Sequence, residues 1–160
     1  MKKKYLITIS IVLGILSLDQ YLKLYIDSVL PLHHTIPVIK NFVDITHVRN
    51  TGAAFGIMAG QVTGFRFFFF IIISIVAILI ILFFLRNLND NQSLLISSLS
   101  MIMGGAMGNM IDRIRLGEVI DFIDIHWHSY HWPTFNVADS AISIGGAFLI
   151  IDIFFRKGKL

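Results

Sequence analysis

The sequence predicts an integral membrane protein, mainly α-helical, with four transmembrane helices and a small extracytoplasmic β-sheet on the first outer loop. Three observations lead there. Of 160 residues, 56% are hydrophobic and only 14% charged, whereas a soluble domain carries roughly 25% charged residues to clothe a water-facing surface. Four apolar segments approach the ~20 residues needed to cross a bilayer. Basic residues gather at one set of segment ends: positions 1–4, 86–92 and 156–160 hold seven Lys/Arg in sixteen residues, against five in the sixty-seven residues of 27–66 and 112–138. Basic residues concentrate on the cytoplasmic side, so both termini and the short link 86–92 are expected inside and the two long connections outside. A chain of this length is expected to form one membrane domain over 1–160.

The first helix is expected at about 5–25. Its start, Met1-Lys2-Lys3-Lys4 followed by apolar residues to Leu18, resembles a secretory signal. No small-x-small cleavage site follows and the apolar run continues past Asp19-Gln20, so an uncleaved membrane helix is expected. The second, at about 67–85, is uncharged and bracketed by Arg66 and Arg86. The link that follows can join only antiparallel neighbours, and the third helix is expected at about 93–111. The fourth, at about 135–155, carries Asp139 and Asp152. Between the first two helices, Phe42-Val43-Asp44-Ile45-Thr46-His47-Val48 alternates apolar and polar residues as a half-buried strand does. We therefore expect segment 27–65 to form a small sheet on the membrane surface. The outer loop 114–134 carries Trp127, Tyr130, Trp132, His126, His128 and His131, a composition suited to the headgroup layer.

The absence of cysteine excludes disulfides, thiolate metal sites and thiol nucleophiles. The net charge of +3 suits anionic lipid headgroups better than a nucleic-acid groove, because the basic residues sit at the ends of apolar runs. Membrane lipids are expected partners; nucleic acid, a cofactor and a bound metal are not.

Charge inside a bilayer costs roughly 2.5–3.5 kcal/mol per group on insertion scales, so each instance needs a reason. Asp152 and Arg156 stand four apart and can simply pair. Asp19 can pair with Lys23 one turn on, although it lies toward the outer end where other polar groups collect. Asn109 and Asp112 stand three apart on one helix face, and Asp112-Arg113 can form an interfacial ion pair. The glycines Gly104, Gly105 and Gly108 suit close helix packing. Asp121 and Asp139 stand out: the topology places both at the outer membrane edge, joined by a loop short enough to fold back. Asp139 alone could serve as a helix-start residue, which leaves Asp121 unexplained. Two carboxylates in a poorly solvated site cannot both ionise cheaply, so one keeps a proton. Such a pair can take a proton from water and polarise a carbonyl, hydrolysing an amide without a metal. Two other chemistries compete. Intramembrane aspartates also serve a small ion- or proton-coupled transporter. His126-x-His128 with His131 and Asp124 could hold a divalent metal in a membrane hydrolase, although interfacial histidines beside tryptophans are more often headgroup contacts.

At these residues the chain resembles the bacterial prolipoprotein signal peptidases, or signal peptidase II. The resemblance rests on Asp19-Gln20, Arg49-Asn50-Thr51-Gly52-Ala53-Ala54-Phe55-Gly56, Gly105-Ala106-x-Gly108-Asn109-x-x-Asp112-Arg113, Gly117-x-Val119-x-Asp121-Phe122 and Phe135-Asn136-x-Ala138-Asp139-Ser140. Each motif is weak alone; five in order across four spans are specific. The resemblance implies an aspartic endopeptidase of the bacterial inner membrane. Such an enzyme removes the signal peptide from lipidated prolipoproteins by cleaving before the diacylglyceryl-cysteine. By the same resemblance Asp121 and Asp139 are catalytic, while Asp19, Asn50, Gly52, Asn109, Asp112, Arg113 and Asn136 order the site or hold substrate. A monomer with its active site at the outer face is expected, and the family lends the histidine cluster no role.

Overall fold

The architecture is taken from a computed structural model that describes residues 2–52 and 63–156. Four helices are long and apolar enough to cross a membrane: α1 Lys3–Val29, α2 Thr63–Asn87, α3 Ser93–Leu116 and α4 Val137–Arg156. Strands β1 Thr35–Ile39 and β2 Val43–Asn50 follow α1, and β3 Val119–Trp127 and β4 Tyr130–His131 lie between α3 and α4. The strands form one antiparallel sheet in the order β1-β2-β3-β4.

The burial pattern of α1 is inverted relative to that of a soluble amphipathic helix. Its buried positions, Lys4, Thr8, Val12, Asp19, Lys23 and Ile26, lie three, four or seven residues apart on one helix face and are mostly polar. Leu6, Ile9, Leu13, Leu18 and Leu24 point outward. A helix bathed in hydrocarbon gains nothing by hiding leucine, and hides its polar groups instead. α2 carries this furthest, with only 11% of its most apolar window buried. α3 is the central helix and packs on the other three. Val12, Ile81, Leu85, Ile96, Leu99 and Met103 form an apolar cluster at the α1–α2–α3 seam.

Close approach of α4 to α3 depends on glycine. A Cβ at Gly105 would collide with the backbone carbonyl oxygen of Ala138, and one at Gly108 would sit 2.7 Å from Asp19 Oδ2. A backbone carbonyl cannot swing aside as a side-chain tip can. Gly105→Ala should therefore push the helices apart and destabilise the fold by roughly 1–3 kcal/mol, the usual cost of overpacking. Thermal unfolding in detergent measures it, and an unchanged midpoint would refute the packing argument.

The helices end where local chemistry dictates. α3 stops at Gly117, whose φ of 76° suits a left-handed cap, and its N–H donates to Arg113 O. α3 thus runs five residues beyond the expected position 111, which carries Asp112 on the helix with Asn109, as their shared face requires, and Arg113 with them. At the opposite end of the bundle, buried Lys4 donates to the carbonyls of Arg86 and Leu88, binding the start of α1 to the end of α2.

The sheet differs from the expectation in extent. Residues 27–29 belong to α1 and 63–65 to α2, and among the described residues of 27–65 the strands are Thr35–Ile39 and Val43–Asn50. The segment 114–134, expected as an outer loop, is not mere loop, because just over half of it is β3 and β4. β3 pairs with β2 from Val43↔Ile125 to Asn50↔Val119. Phe122 turns inward onto Ile26 and Leu30 of α1, which seats the sheet on the helices. The chain then folds back: Ile123 N donates to Phe135 O, and Phe135 N to Ile123 O. This return brings the start of α4 beside β3.

Candidate active site

Asp121 and Asp139 arrive from different elements. Asp121 sits in the first half of β3, where Val119, Ile120, Asp121 and Phe122 are all buried. Its Cα partner is Val48, so Asn50 lies diagonally across the β2–β3 ladder, and Asn50 Nδ2 donates to Asp121 Oδ2 at 2.9 Å. Asn50 Oδ1 accepts from Gly52 N, which fixes the amide and bends the chain away from the sheet.

Asp139 occupies the third position of α4. Asn136, the residue before the helix, accepts from Asp139 N at 2.9 Å, and Asp139 Oδ2 accepts from Asn136 N at 3.2 Å. This reciprocal pair is a capping box, the arrangement that satisfies two otherwise orphaned N–H groups at a helix start. The helix-start role weighed for Asp139 is thus real, and it leaves Oδ1 free for other work. Asn109 Nδ2 donates to that oxygen at 2.7 Å.

Asn136 ties the two carboxylates together. While its backbone N serves Asp139, its fully buried side chain donates through Nδ2 to Asp121 Oδ1 at 2.7 Å, with longer contacts to Ile120 O and Asn109 Oδ1. Each aspartate therefore accepts two N–H donors. Burial pushes the Asp121 carboxyl up to about 7, and the nearby charge of Asp139 adds to the rise. A carboxylate accepting two amide donors would ordinarily stay ionised well into the acid range, so desolvation outweighs the hydrogen bonds here.

This shift has a consequence for stability. An unfolded Asp121 titrates near 3.8 and the folded one near 7. Below about 4 the carboxyl is neutral in both states. As pH rises toward 7 the unfolded chain releases the proton first, so the stability this group lends at low pH is lost through that window. Asp121→Asn has no such proton. The difference in thermal midpoint between variant and wild type should move in the variant's favour from pH 4 to pH 8. A difference independent of pH would show that Asp121 is not desolvated.

Behind the pair lies a buried polar layer. Lys23, 1% exposed, reaches Asp19 Oδ2 at 2.9 Å, Asp112 Oδ2 at 2.9 Å and Asn109 Oδ1 at 3.0 Å. The remaining oxygen of Asp19 accepts from Ala138 N at the start of α4. Asp112 accepts from Ile120 N and Gln20 Nε2. Asp19 thus pairs with Lys23 one turn on, yet Asp19 also anchors α4, and Asp112, held by the same lysine, anchors β3. The alternative of a plain Asp112–Arg113 ion pair is not what is found: Asp112 turns inward to Lys23. Arg113 donates to Gly52 O and Asn109 O and stacks its guanidinium 4.7 Å from the Phe70 ring centre. The Arg156 side chain and the Ala53 to Gly56 stretch lie outside the described residues.

Asp121, Asp139, Asn50, Gly52, Asn109 and Arg113 line one cavity of about 700 Å³. Its other wall is apolar, including Ile125, Trp132, Phe135, Ile142 and Ile144. Asp19, Asp112 and Asn136 support that lining from behind. Sequence reasoning treated Lys23 only as a partner for Asp19 and missed its contacts to Asp112 and Asn109.

The histidines lie apart from this cavity, on the sheet. His131 Nδ1 is 2.8 Å from Asp124, His126 Nε2 is 3.3 Å from Asp44, and the two imidazoles stack at 4.7 Å. Among the described residues no group of histidines and carboxylates has a geometry that could hold a metal ion.

The family model described as Signal peptidase (SPase) II matches residues 11–155. A lipoprotein signal peptidase of Geobacter sulfurreducens is 50% identical over 153 residues, covering 96% of this chain and 94% of its own. That of Syntrophus aciditrophicus is 47% identical over 152 residues, covering 94% of each. A bacterial membrane enzyme solved by the in meso method at 2.3 Å resolution superposes with a TM-score of 0.85 and 34% identity. That match covers 95% of this chain and 90% of the other. The chain is therefore a polytopic membrane peptidase. It belongs to the signal peptidase II family.

Proposed function

We propose that this protein is an aspartic endopeptidase that removes the signal peptide from lipidated prolipoproteins, cutting before the diacylglyceryl-cysteine at the outer face of the inner membrane. One observation carries the reading: Asn136 binds Asp121 with its side chain and Asp139 with its backbone, holding two carboxylates at the polar wall of an otherwise apolar cavity. Like charges so placed favour a shared proton.

The chemistry follows from that proton. Asp121, pushed up to about 7, holds it. Asp139, at a helix N-terminus that favours negative charge, is the better seat for the anion. A water between them loses a proton to Asp139 as its oxygen bonds to the scissile carbonyl carbon, whose oxygen is polarised by the proton on Asp121. The C–N bond then breaks, and the leaving nitrogen takes up a proton from the pair. Asn50, Asn109 and Asn136 hold the carboxyl oxygens, while Arg113 and Gly52 shape the cavity mouth. Incubating the purified protein with a lipidated precursor should release the signal peptide; an intact precursor would overturn the assignment.

The membrane orientation is part of the proposal. Lys4 and Arg86 mark one end of the bundle and the aspartates the other, so the basic end is inside and the cavity outside. Single cysteines can be introduced into this cysteine-free chain and probed with a membrane-impermeant thiol reagent on intact cells. Position 40 should label and position 90 should not, and the reverse pattern would invert the topology.

A further inference from the structure

We propose that Lys23 is a positioning residue for the aspartate pair, its ammonium fixing the Asn109 amide so that the NH₂ end, and not the oxygen, faces Asp139. This rests on the reading of Asp121 and Asp139 as the catalytic pair. Lys23 does not line the cavity; it acts through Asn109.

The two ends of an asparagine amide are nearly equal in size, and neighbours decide which way it points. An ammonium has three donors and no acceptor. Lys23 spends its three on Asp19 Oδ2, Asp112 Oδ2 and Asn109 Oδ1, at 2.9, 2.9 and 3.0 Å, in a site where the side chain is 1% exposed. No water-facing alternative exists for a cation so enclosed, so the end of Asn109 that meets it must be oxygen. The other end is then NH₂, and it donates to Asp139 Oδ1 at 2.7 Å. Asn136 Nδ2 also reaches Asn109 Oδ1, but at 3.2 Å and while committed to Asp121 at 2.7 Å. Without Lys23 only that longer contact and Asp139 Oδ1 itself hold the orientation, and Asp139 loses its preference for the NH₂ end whenever it is protonated. A flipped amide would present its oxygen to Asp139, favouring the protonated acid and removing the base. The carboxylates of Asp19 and Asp112 fix the ammonium in turn, so the buried layer converts a charge in α1 into the orientation of an amide in α3.

The test is a double-mutant cycle on the full-length protein with lipidated precursor. Lys23→Met should lower kcat by ~10–10²-fold, the scale of a misplaced catalytic group, with little change in KM. It should also move the acid limb of the pH–rate profile upward, because a nearby positive charge and an amide donor are both lost. Asn109→Leu should lose at least as much, and the double variant should be no worse than Asn109→Leu, since residues acting as a unit are non-additive. Should Lys23→Met fail to accumulate in the membrane, Lys23→Met/Asp112→Asn keeps the single net negative charge of the native trio and enters the cycle instead. Additive losses, an unmoved pH profile, or failure of both variants to accumulate would overturn the proposal and make Lys23 a folding residue. The catalytic pair is judged separately: inactive Asp121→Asn and Asp139→Asn proteins beside an additive Lys23 cycle would leave it standing.

Discussion

Asp121→Asn and Asp139→Asn are each expected to slow conversion of a lipidated precursor by at least about 10²–10⁴-fold, the range attributed to general acid–base catalysis. Asparagine keeps the size of aspartate and one acceptor oxygen, so at 121 it can serve Asn136 or Asn50 but not both, and at 139 Asn136 N or Asn109 Nδ2 but not both. What disappears is the exchangeable carboxyl proton. Because the pair carries one shared proton, removing either member disables both, and the double variant should be scarcely slower than the worse single. The wild-type rate should describe a bell against pH. It falls on the acid side when both carboxyls are protonated, and on the alkaline side as the shared proton leaves near the raised value of about 7 for Asp121. The two apparent values belong to the pair and not to one residue. Chelator should not alter the rate. A transporter using the same aspartates would give the opposite pattern, with ion flux changed and processing intact. Near-normal processing by either single variant, confirmed to be inserted in the membrane, would eliminate the pair.

Much of this was legible in the residues because the membrane makes polar groups conspicuous. In a chain with 14% charged residues, an aspartate beside valine and isoleucine must have a reason, and that logic reached Asp19, Asp112, Asp121 and Asp139 directly. The four helices followed from apolar length, with ends displaced by up to five residues where capping, and not hydropathy, decides. α4 starts at Val137 because Phe135 is bonded back to Ile123 and Asn136 is the cap.

β3 was illegible for a different reason. Its first four residues are buried on both faces, so the period-two alternation that marks a half-exposed strand is absent. Its partner β2 also lies far away in sequence, as the 71-residue separation of Asn50 and Asp121 shows. The role of Lys23 was hidden because the lysine belongs to α1 and Asn109 to α3. Spacing within one helix reveals the Asp19 pairing, whereas the contacts to Asp112 and Asn109 depend on how two helices are rotated about each other. Asn50 and Asn136 were recognised only through the resemblance, and Asn109 only by sharing a helix face with Asp112, since a neutral amide carries no signal of its own until a carboxylate is placed beside it.

An unlipidated precursor is expected to be cut at least ~10²-fold less efficiently than its diacylglyceryl form, measured as kcat/KM in the same vesicles. The cavity has two unlike walls. One carries the carboxylates, Asn50, Asn109 and Arg113, and the other runs through Phe135 and Ile142 to Ile144, which is 46% exposed on the apolar surface of α4. A peptide alone can use only the polar wall, where the carboxylates and asparagines are already bonded to one another. A lipidated cysteine brings acyl chains that rest on the apolar wall and remain in the leaflet, each CH₂ kept from water contributing roughly 0.8 kcal/mol. That energy also holds the scissile bond at the depth of Asp121 and Asp139, so a diffusional search becomes a local one. The loss should therefore appear in kcat as well as KM, because an unanchored chain binds in many registers and few are productive. A single-chain lipid on the cysteine should fall between the two. Equal cleavage of lipidated and unlipidated forms would mean that the peptide alone supplies recognition, and the apolar wall would then have no part in choosing the substrate.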